Sequence, residues 1–534
     1  MLRRRPLLRS SIFTSVLLVC TAVGAAPTAP ALDGRGADAA VFEAPGEPVP
    51  ETALDKLVRA RLRELKITPA PLCSDAVFLR RAYLDVTGTL PTVAEAREFL
   101  DDRQPGKRQR LTNRLLERPE YAAYQAMRWS DLLRVKAEFP INLWPNAAQA
   151  YHRWIVQAMR ENRPADVFAR ELLTASGSNF RSGPPNFYRA VQSREPEVLA
   201  RVVALTFFGM RSELWPTARQ AGLAGFFTSI RYKQTGEWKE EIVFFDPVAP
   251  ADPARLPVFP DGTPAKIAPG QDPREVLADW MLQSKHPWLA RSLANRAWGW
   301  LLGRGIVNEP DDFRADNPPS NPALLAYLER EFISSRYDMK QLFRLILNSQ
   351  TYQRSSLPAD AGPAAAANFA FYPVRRLEAE VLADALNQIT GGTDSYVSAI
   401  PEPFTFIPAD VRAIALPDGS ISGAFLEKFE RSSRDTGLAA ERDNTISAAQ
   451  RMHLLNSSHV LRKLEQGGTL RNLLKPGPQE GEPVVNRLYL AVLSRRPTSA
   501  EWARAGKPDT PAGRTAIQDL AWALINSPEF LYRH

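Results

Sequence analysis

The chain has 534 residues, 44% of them hydrophobic, and 67 lysines and arginines against 59 aspartates and glutamates give a net charge of +8. That is too apolar for a disordered chain and long enough for several packed units of about 150 residues each. Two cysteines exclude a disulfide scaffold, a cysteine-rich zinc site and an iron–sulfur cluster, and the interleaving of basic with acidic residues argues against a phosphate-binding stripe, so no nucleic-acid partner is expected.

Arg3, Arg4, Arg5 and Arg9, an apolar run at 12–19 and the small residues Val23, Gly24 and Ala25 predict an export signal at 1–25, cleaved after Ala25. The run is shorter than the roughly 20 residues of a bilayer span. The expectation is therefore export to the periplasm or cell surface with no transmembrane anchor after cleavage. Arg4-Arg5 leaves the twin-arginine and general export routes both open. Residues 26–50, rich in Ala, Pro, Gly and Asp, read as a flexible leader. Cleavage leaves Cys73 as the one cysteine, and a single thiol forms no internal disulfide.

Helical spacing dominates from residue 51 onward. Leu54, Leu57, Val58, Leu62 and Leu65 recur every three or four residues, as one buried helix face requires, and Thr92 with Glu95 forms a capping-box pattern. Two strand signals at 229–233 and 241–245 flank Gly236 and predict a hairpin. A proline-rich stretch at 246–273 marks the main boundary, with smaller breaks near 357–367 and 475–483. Residues 288–302 and 339–347 are further apolar helical segments. The expected fold is mainly α: helical domains at 51–228 and 274–534, joined by a β-hairpin and linker at 229–273.

An internal echo supports a reused unit. Tyr83-Leu84 precedes Pro91-Thr92-Val93-Ala94-Glu95 and then Pro119-Glu120-Tyr121, while Tyr489-Leu490 precedes Pro497-Thr498-Ser499-Ala500-Glu501 and then Pro528-Glu529-Phe530. Tyrosine and proline are eight positions apart in both copies. A partial third copy ends at 346–352. These residues read as structural: helix, Pro-Thr-capped helix, third helix and an aromatic tuck.

Familiar catalytic patterns are missing: no serine elbow, phosphate loop or dinucleotide glycine fingerprint occurs. The five histidines, His152, His286, His453, His459 and His534, include no i,i+4 pair, so no metal site is expected; His453 and His459 are close enough to meet across a turn. Three polar clusters stand out. Asn295, Arg296 and Trp298 share a helix, with Asp311, Asp312, Arg314 and Asn317 on the next loop; such a set binds a metal, sugar or anion, or else pins a loop between helices. Arg375, Arg376, Glu378, Glu380 and Asp384 form the second, where Glu380 and Asp384 share a helix face and serve either acid–base work or helix-to-helix ion pairs. The third is the loop 431–445, containing Arg434, Asp435, Glu441, Arg442 and Asp443. Trp144, Trp215, Trp238 and Trp288 are candidates for stacking on sugars, with burial in a helical core expected for each.

Several motifs, in order, resemble a known pair of domains. Arg80-Arg81-Ala82-Tyr83-Leu84-Asp85-Val86-Thr87-Gly88 and Arg128-Trp129-Ser130-Asp131-Leu132 resemble the planctomycete cytochrome-associated N-terminal domain. Asn295-Arg296-Ala297-Trp298, Gly303-Arg304-Gly305-Ile306-Val307, Asp311-Asp312-Phe313-Arg314, Arg375-Arg376-Leu377-Glu378 and Asn526-Ser527-Pro528-Glu529-Phe530 resemble its C-terminal partner. The resemblance runs from about residue 51 to the end, and both domains are of unknown function. It implies an exported protein whose genes often neighbour one for a secreted sulfatase-like protein, a candidate partner. Many relatives carry a preceding cytochrome c-like module, and a Cys-x-x-Cys-His motif after a Phe-Leu-Gly helix end. Here Phe207-Phe208-Gly209-Met210-Arg211 runs through Ser212-Glu213-Leu214-Trp215 to Gly222 without it. A c-type haem needs two thiols and a histidine, so no covalent haem and no other cofactor are expected.

The reading is an exported, non-catalytic binding or assembly component. Its alternative is a carboxylate-dependent hydrolase or lyase acting on polysaccharide, working through the 311–314 or 378–384 carboxylates.

Overall fold

Helix starts follow the capping chemistry written in the sequence. In the helix Ala53–Glu64 the Thr52 hydroxyl accepts from the Asp55 amide (3.2 Å) while the Asp55 carboxylate accepts from the Thr52 amide (3.0 Å), and Leu54, Val58 and Leu62 are buried. Thr92 and Thr498 build the same reciprocal cap on the helices Val93–Asp101 and Ser499–Arg504. Prolines open the helices Pro119–Leu132, Pro145–Arg160, Pro196–Val203, Pro273–Met281 and Pro322–Ser334, where a missing N–H costs nothing.

The structure, a computed structural model, describes residues 39–43, 50–250, 252–283, 287–473, 483–505 and 511–534. The expected export signal, most of the leader, His286 and most of the 475–483 break lie outside the described residues. Within the leader, residues Ala39–Glu43 form a short helix whose Phe42 ring meets the His534 ring edge-on at 5.3 Å. Among the described residues no helix is long and apolar enough to cross a membrane.

The fold is mainly α. The expected hairpin is present as β2 (Ile230–Gln234) against β3 (Glu241–Phe245), and β1 (Gly177–Ser178) adds a third antiparallel strand in the order β1-β3-β2. A second, two-stranded sheet pairs β4 (Arg375–Arg376) with β5 (Tyr532–Arg533). The sequence echo is also an echo in ion pairing. Arg118 reaches both the capping Glu95 (2.5 Å) and Glu120 (3.1 Å); Arg495 reaches the capping Glu501 (2.8 Å) and Glu529 (2.6 Å). The two arginines sit at different points of the repeat, yet each closes the same triad.

Packing crosses the linker. One core runs from Leu54 through Tyr372 and takes in Leu490, and the other joins Leu84, Leu90, Tyr124 and Met127 to residues between Leu377 and Leu531. Seven of the twelve largest fully buried side chains are arginines: Arg80, Arg81, Arg134, Arg274, Arg376, Arg434 and Arg533. Several satisfy distant carbonyls: Arg80 donates to Val492 (2.8 Å) and Phe530 (2.9 Å), and Arg81 to Tyr352 (2.6 Å), Arg354 (2.9 Å) and His534 (2.9 Å). Part of the basic character read from the sequence therefore lies in the interior, where several arginines act as backbone clamps.

Candidate binding cleft

The first polar cluster holds the chain together around its own loop. Asn295 exchanges hydrogen bonds with the Val307 amide and carbonyl (both 2.9 Å). Arg296 donates to the carbonyls of Leu205 (2.6 Å) and Thr206 (2.8 Å), which belong to the π-helical turn Ala204–Phe208. Asp311, buried, accepts from Arg211 (3.1 Å) and from the Ala439 amide (3.1 Å). Asp312 pairs with Arg314 (3.0 Å), and its carbonyl accepts from the Asn317 side chain (2.9 Å).

The second and third clusters converge. Arg442 grips Glu380 through both terminal nitrogens (2.8 and 2.9 Å) and donates its Nε to Asp131 (2.6 Å), whose other oxygen accepts from Arg434 (3.0 Å). Burial pushes the Glu380 carboxyl up, but Arg442 and Arg431 outweigh it and hold it below the usual carboxylate range. Asp435 pairs with Lys136 (2.6 Å). Arg376 donates to the carbonyls of Phe429 (3.0 Å), Asp443 (2.8 Å) and Thr445 (3.1 Å). Asp384 is turned to the amides of Ala413 (2.7 Å) and Ile414 (3.2 Å), and burial raises its pKa to about 6 despite Arg412 nearby. The carboxylates offered for acid–base chemistry thus each face arginines or backbone amides. Their arrangement is that of ties between segments.

His453 and His459 do meet: their rings are 5.8 Å apart, both lie against Phe425, and Asp394 accepts from the His459 Nε2 (2.7 Å). No group of three or more His, Cys, Asp or Glu side chains is placed to hold a metal ion among the described residues. Cys73 is buried, its amide donating to the Gln353 carbonyl (2.8 Å).

The tryptophans correct the sequence reading, which expected core burial for all four. Trp238 at the hairpin tip is 61% exposed, and its ring packs against Trp144 (4.8 Å) and Phe404 (6.0 Å) in a surface cluster. A tight hairpin tip has no core behind it, so this ring finds aromatic neighbours instead. Trp215 and Trp288 are half-buried in the wall of a cleft of about 790 Å³, together with Met210, Phe313, Arg219 and Arg314.

Local backbone explains this cleft. Gly209, at φ +66°, ends the π-helical turn in the left-handed region, and its carbonyl accepts from the Phe313 amide (3.0 Å). A Cβ at Gly209 would stand 2.9 Å from Ser292 Oγ and 3.1 Å from the Phe313 ring. Glycine therefore lets the 311–317 loop close onto the segment after Gly209. The Arg219 guanidinium stacks 3.8 Å over the Trp215 ring, one helical turn away in sequence. Of the candidates singled out from sequence, Trp215, Trp288, Arg314 and Asn317 line this cleft, and Asp311 and Asp312 hold its loop. Arg219, Met210 and Phe313 were missed as binding residues; the one signal available was their proximity to the segment where the cysteine motif is wanting.

Residues 53–213 match the family model PSCyt2, described as a protein of unknown function (DUF1549), and residues 273–507 match PSD1, described as a protein of unknown function (DUF1553). No curated protein and no solved structure matches the chain.

Proposed function

The chain belongs to the proteins that pair a PSCyt2 domain with a PSD1 domain, and from that premise we propose that it is a non-catalytic binding or assembly component, exported to the periplasm or cell surface and without covalent haem. The observation that carries the binding role is the cleft beside Gly209, which Trp215, Trp288 and Phe313 line together with Arg219. Aromatic walls with a few placed polar groups are the usual make-up of a ligand pocket. Export is supported by the arginine-led apolar start of the sequence, and the lack of covalent haem by the single buried Cys73. Polysaccharide is the proposed ligand, on the strength of the tryptophans able to stack on sugars, and a secreted sulfatase-like protein is the proposed partner, from the family resemblance.

The polysaccharide hydrolase or lyase alternative draws on Asp311, Asp312, Glu380 and Asp384, each of which is engaged by an arginine or a backbone amide. The test compares wild type with Trp215→Ala and Glu380→Gln for retention on immobilised polysaccharide, with circular dichroism as the fold check. Binding lost in Trp215→Ala with the fold intact supports the reading. Glycan turnover by wild type, abolished in a folded Glu380→Gln, contradicts it.

A further inference from the structure

We infer that the cleft takes a ligand presenting an oxyanion beside a flat ring, with Arg219 as its counter-charge; this rests on the cleft being the binding site. Three arginines border the cleft. Arg291 is held by Glu329 (2.8 Å), and Arg314 by Asp312 (3.0 Å) and Asp316 (3.6 Å). Arg219 has no carboxylate within ion-pair distance among the described residues, and its Nε is buried without a hydrogen-bond partner.

That departs from the habit of this protein. Most of its other inward-facing guanidiniums are spent on carbonyls or carboxylates, as Arg296 is on Leu205 and Thr206 and Arg211 on Asp311. A guanidinium stripped of part of its hydration with no anion to replace it is unfavourable, and a ring face offsets that only in part. Burial alone pushes the Arg219 pKa down, with no opposing acid beside it. The site is therefore complete only when something else brings the negative charge.

The chemistry of that charge follows from the fork. The guanidinium stacks on Trp215, and a planar fork of this kind can make bidentate contact with a carboxylate or a sulfate through its two terminal nitrogens. The rest of the ligand then lies along the faces of Trp215, Trp288 and Phe313, which suits a sugar or aryl ring. Asp316, the acid on the rim, is turned toward Arg314 rather than Arg219.

The experiment is calorimetric titration of the full chain with three probes of one scaffold: 4-methylumbelliferyl glucuronide, glucoside and sulfate. The expected result is at least tenfold tighter binding of the glucuronide or the sulfate than of the glucoside at low salt. Which of the two is preferred distinguishes the carboxylate from the sulfate as the anion. Arg219→Gln is expected to remove the preference, with circular dichroism as the check that the variant folds. Equal affinity of wild type for the three probes overturns the inference and leaves the cleft reading standing. A preference that survives in Arg219→Gln overturns the role of Arg219. Binding of none of the probes overturns the cleft reading with it.

Discussion

Asp85 and Arg375 lie 290 positions apart in the chain and meet in the interior at 2.7 Å. The other Asp85 oxygen accepts from the hydroxyls of Tyr352 (2.8 Å) and Tyr372 (2.9 Å). One carboxylate from the first matched domain thus satisfies three donors from the second. Arg533, paired with Glu378 and donating to Tyr124 (2.7 Å), continues the network across the same boundary.

Removing that carboxylate leaves a buried cation and two hydroxyls without their acceptor. Asp85→Ala is expected to cost about 3–5 kcal/mol. The exposed pair Arg496–Asp101 provides the contrast: Arg496→Ala is expected to cost about 1 kcal/mol or less. Urea unfolding of both variants checks the ordering.

Acid weakens the fold through named groups. Burial pushes Glu378 up, but Arg533, Arg128 and Arg375 bring it to about 2; Arg495 and the Thr498 cap do the same for Glu501, also to about 2. Both start from an ordinary 4.5, so the unfolded chain binds more protons between those values. Their contribution is complete above pH 4.5 and is lost as pH falls toward 2. Asp384, raised from 3.8 to about 6, acts the other way: the folded state holds its extra proton between those values and gains as pH falls through them. Thermal melts are expected to hold or rise slightly from pH 7 to 5 and to drop steeply below about pH 4. A melting temperature that stays level down to pH 2 would contradict this assignment.

The echoed caps make equivalent predictions. Thr92→Ala and Thr498→Ala each remove the acceptor of a reciprocal cap and are expected to cost about 1 kcal/mol apiece. Chemical denaturation of the two single variants checks whether the copies are alike in energy as well as in geometry.

Gly209→Ala places a Cβ in left-handed backbone and against Ser292 and Phe313. The backbone strain alone is expected to cost about 1–2 kcal/mol. Because Phe313 is a cleft wall, weaker ligand retention is expected in a variant that still folds, measured beside its stability.

Sequence made the local features legible. The apolar spacing of Leu54, Val58 and Leu62, the Thr92–Glu95 cap and the hairpin around Gly236 each depend on neighbours a few positions away. Strands β1, β4 and β5 are two residues long and carry no periodicity to detect. The polar candidates were chosen by residue type, but what they do depends on partners such as Asp131 and Arg434, 303 positions apart. Arg219 was invisible for the opposite reason: its distinction is the lack of a nearby acid, which only the folded chain reveals.

If buried arginine–carboxylate ties make the two matched domains one unit, they must unfold together. Scanning calorimetry of the whole chain is the direct test. A single transition, with calorimetric and van't Hoff enthalpies in agreement, is the predicted result. Two resolved transitions, one per domain, would contradict the account.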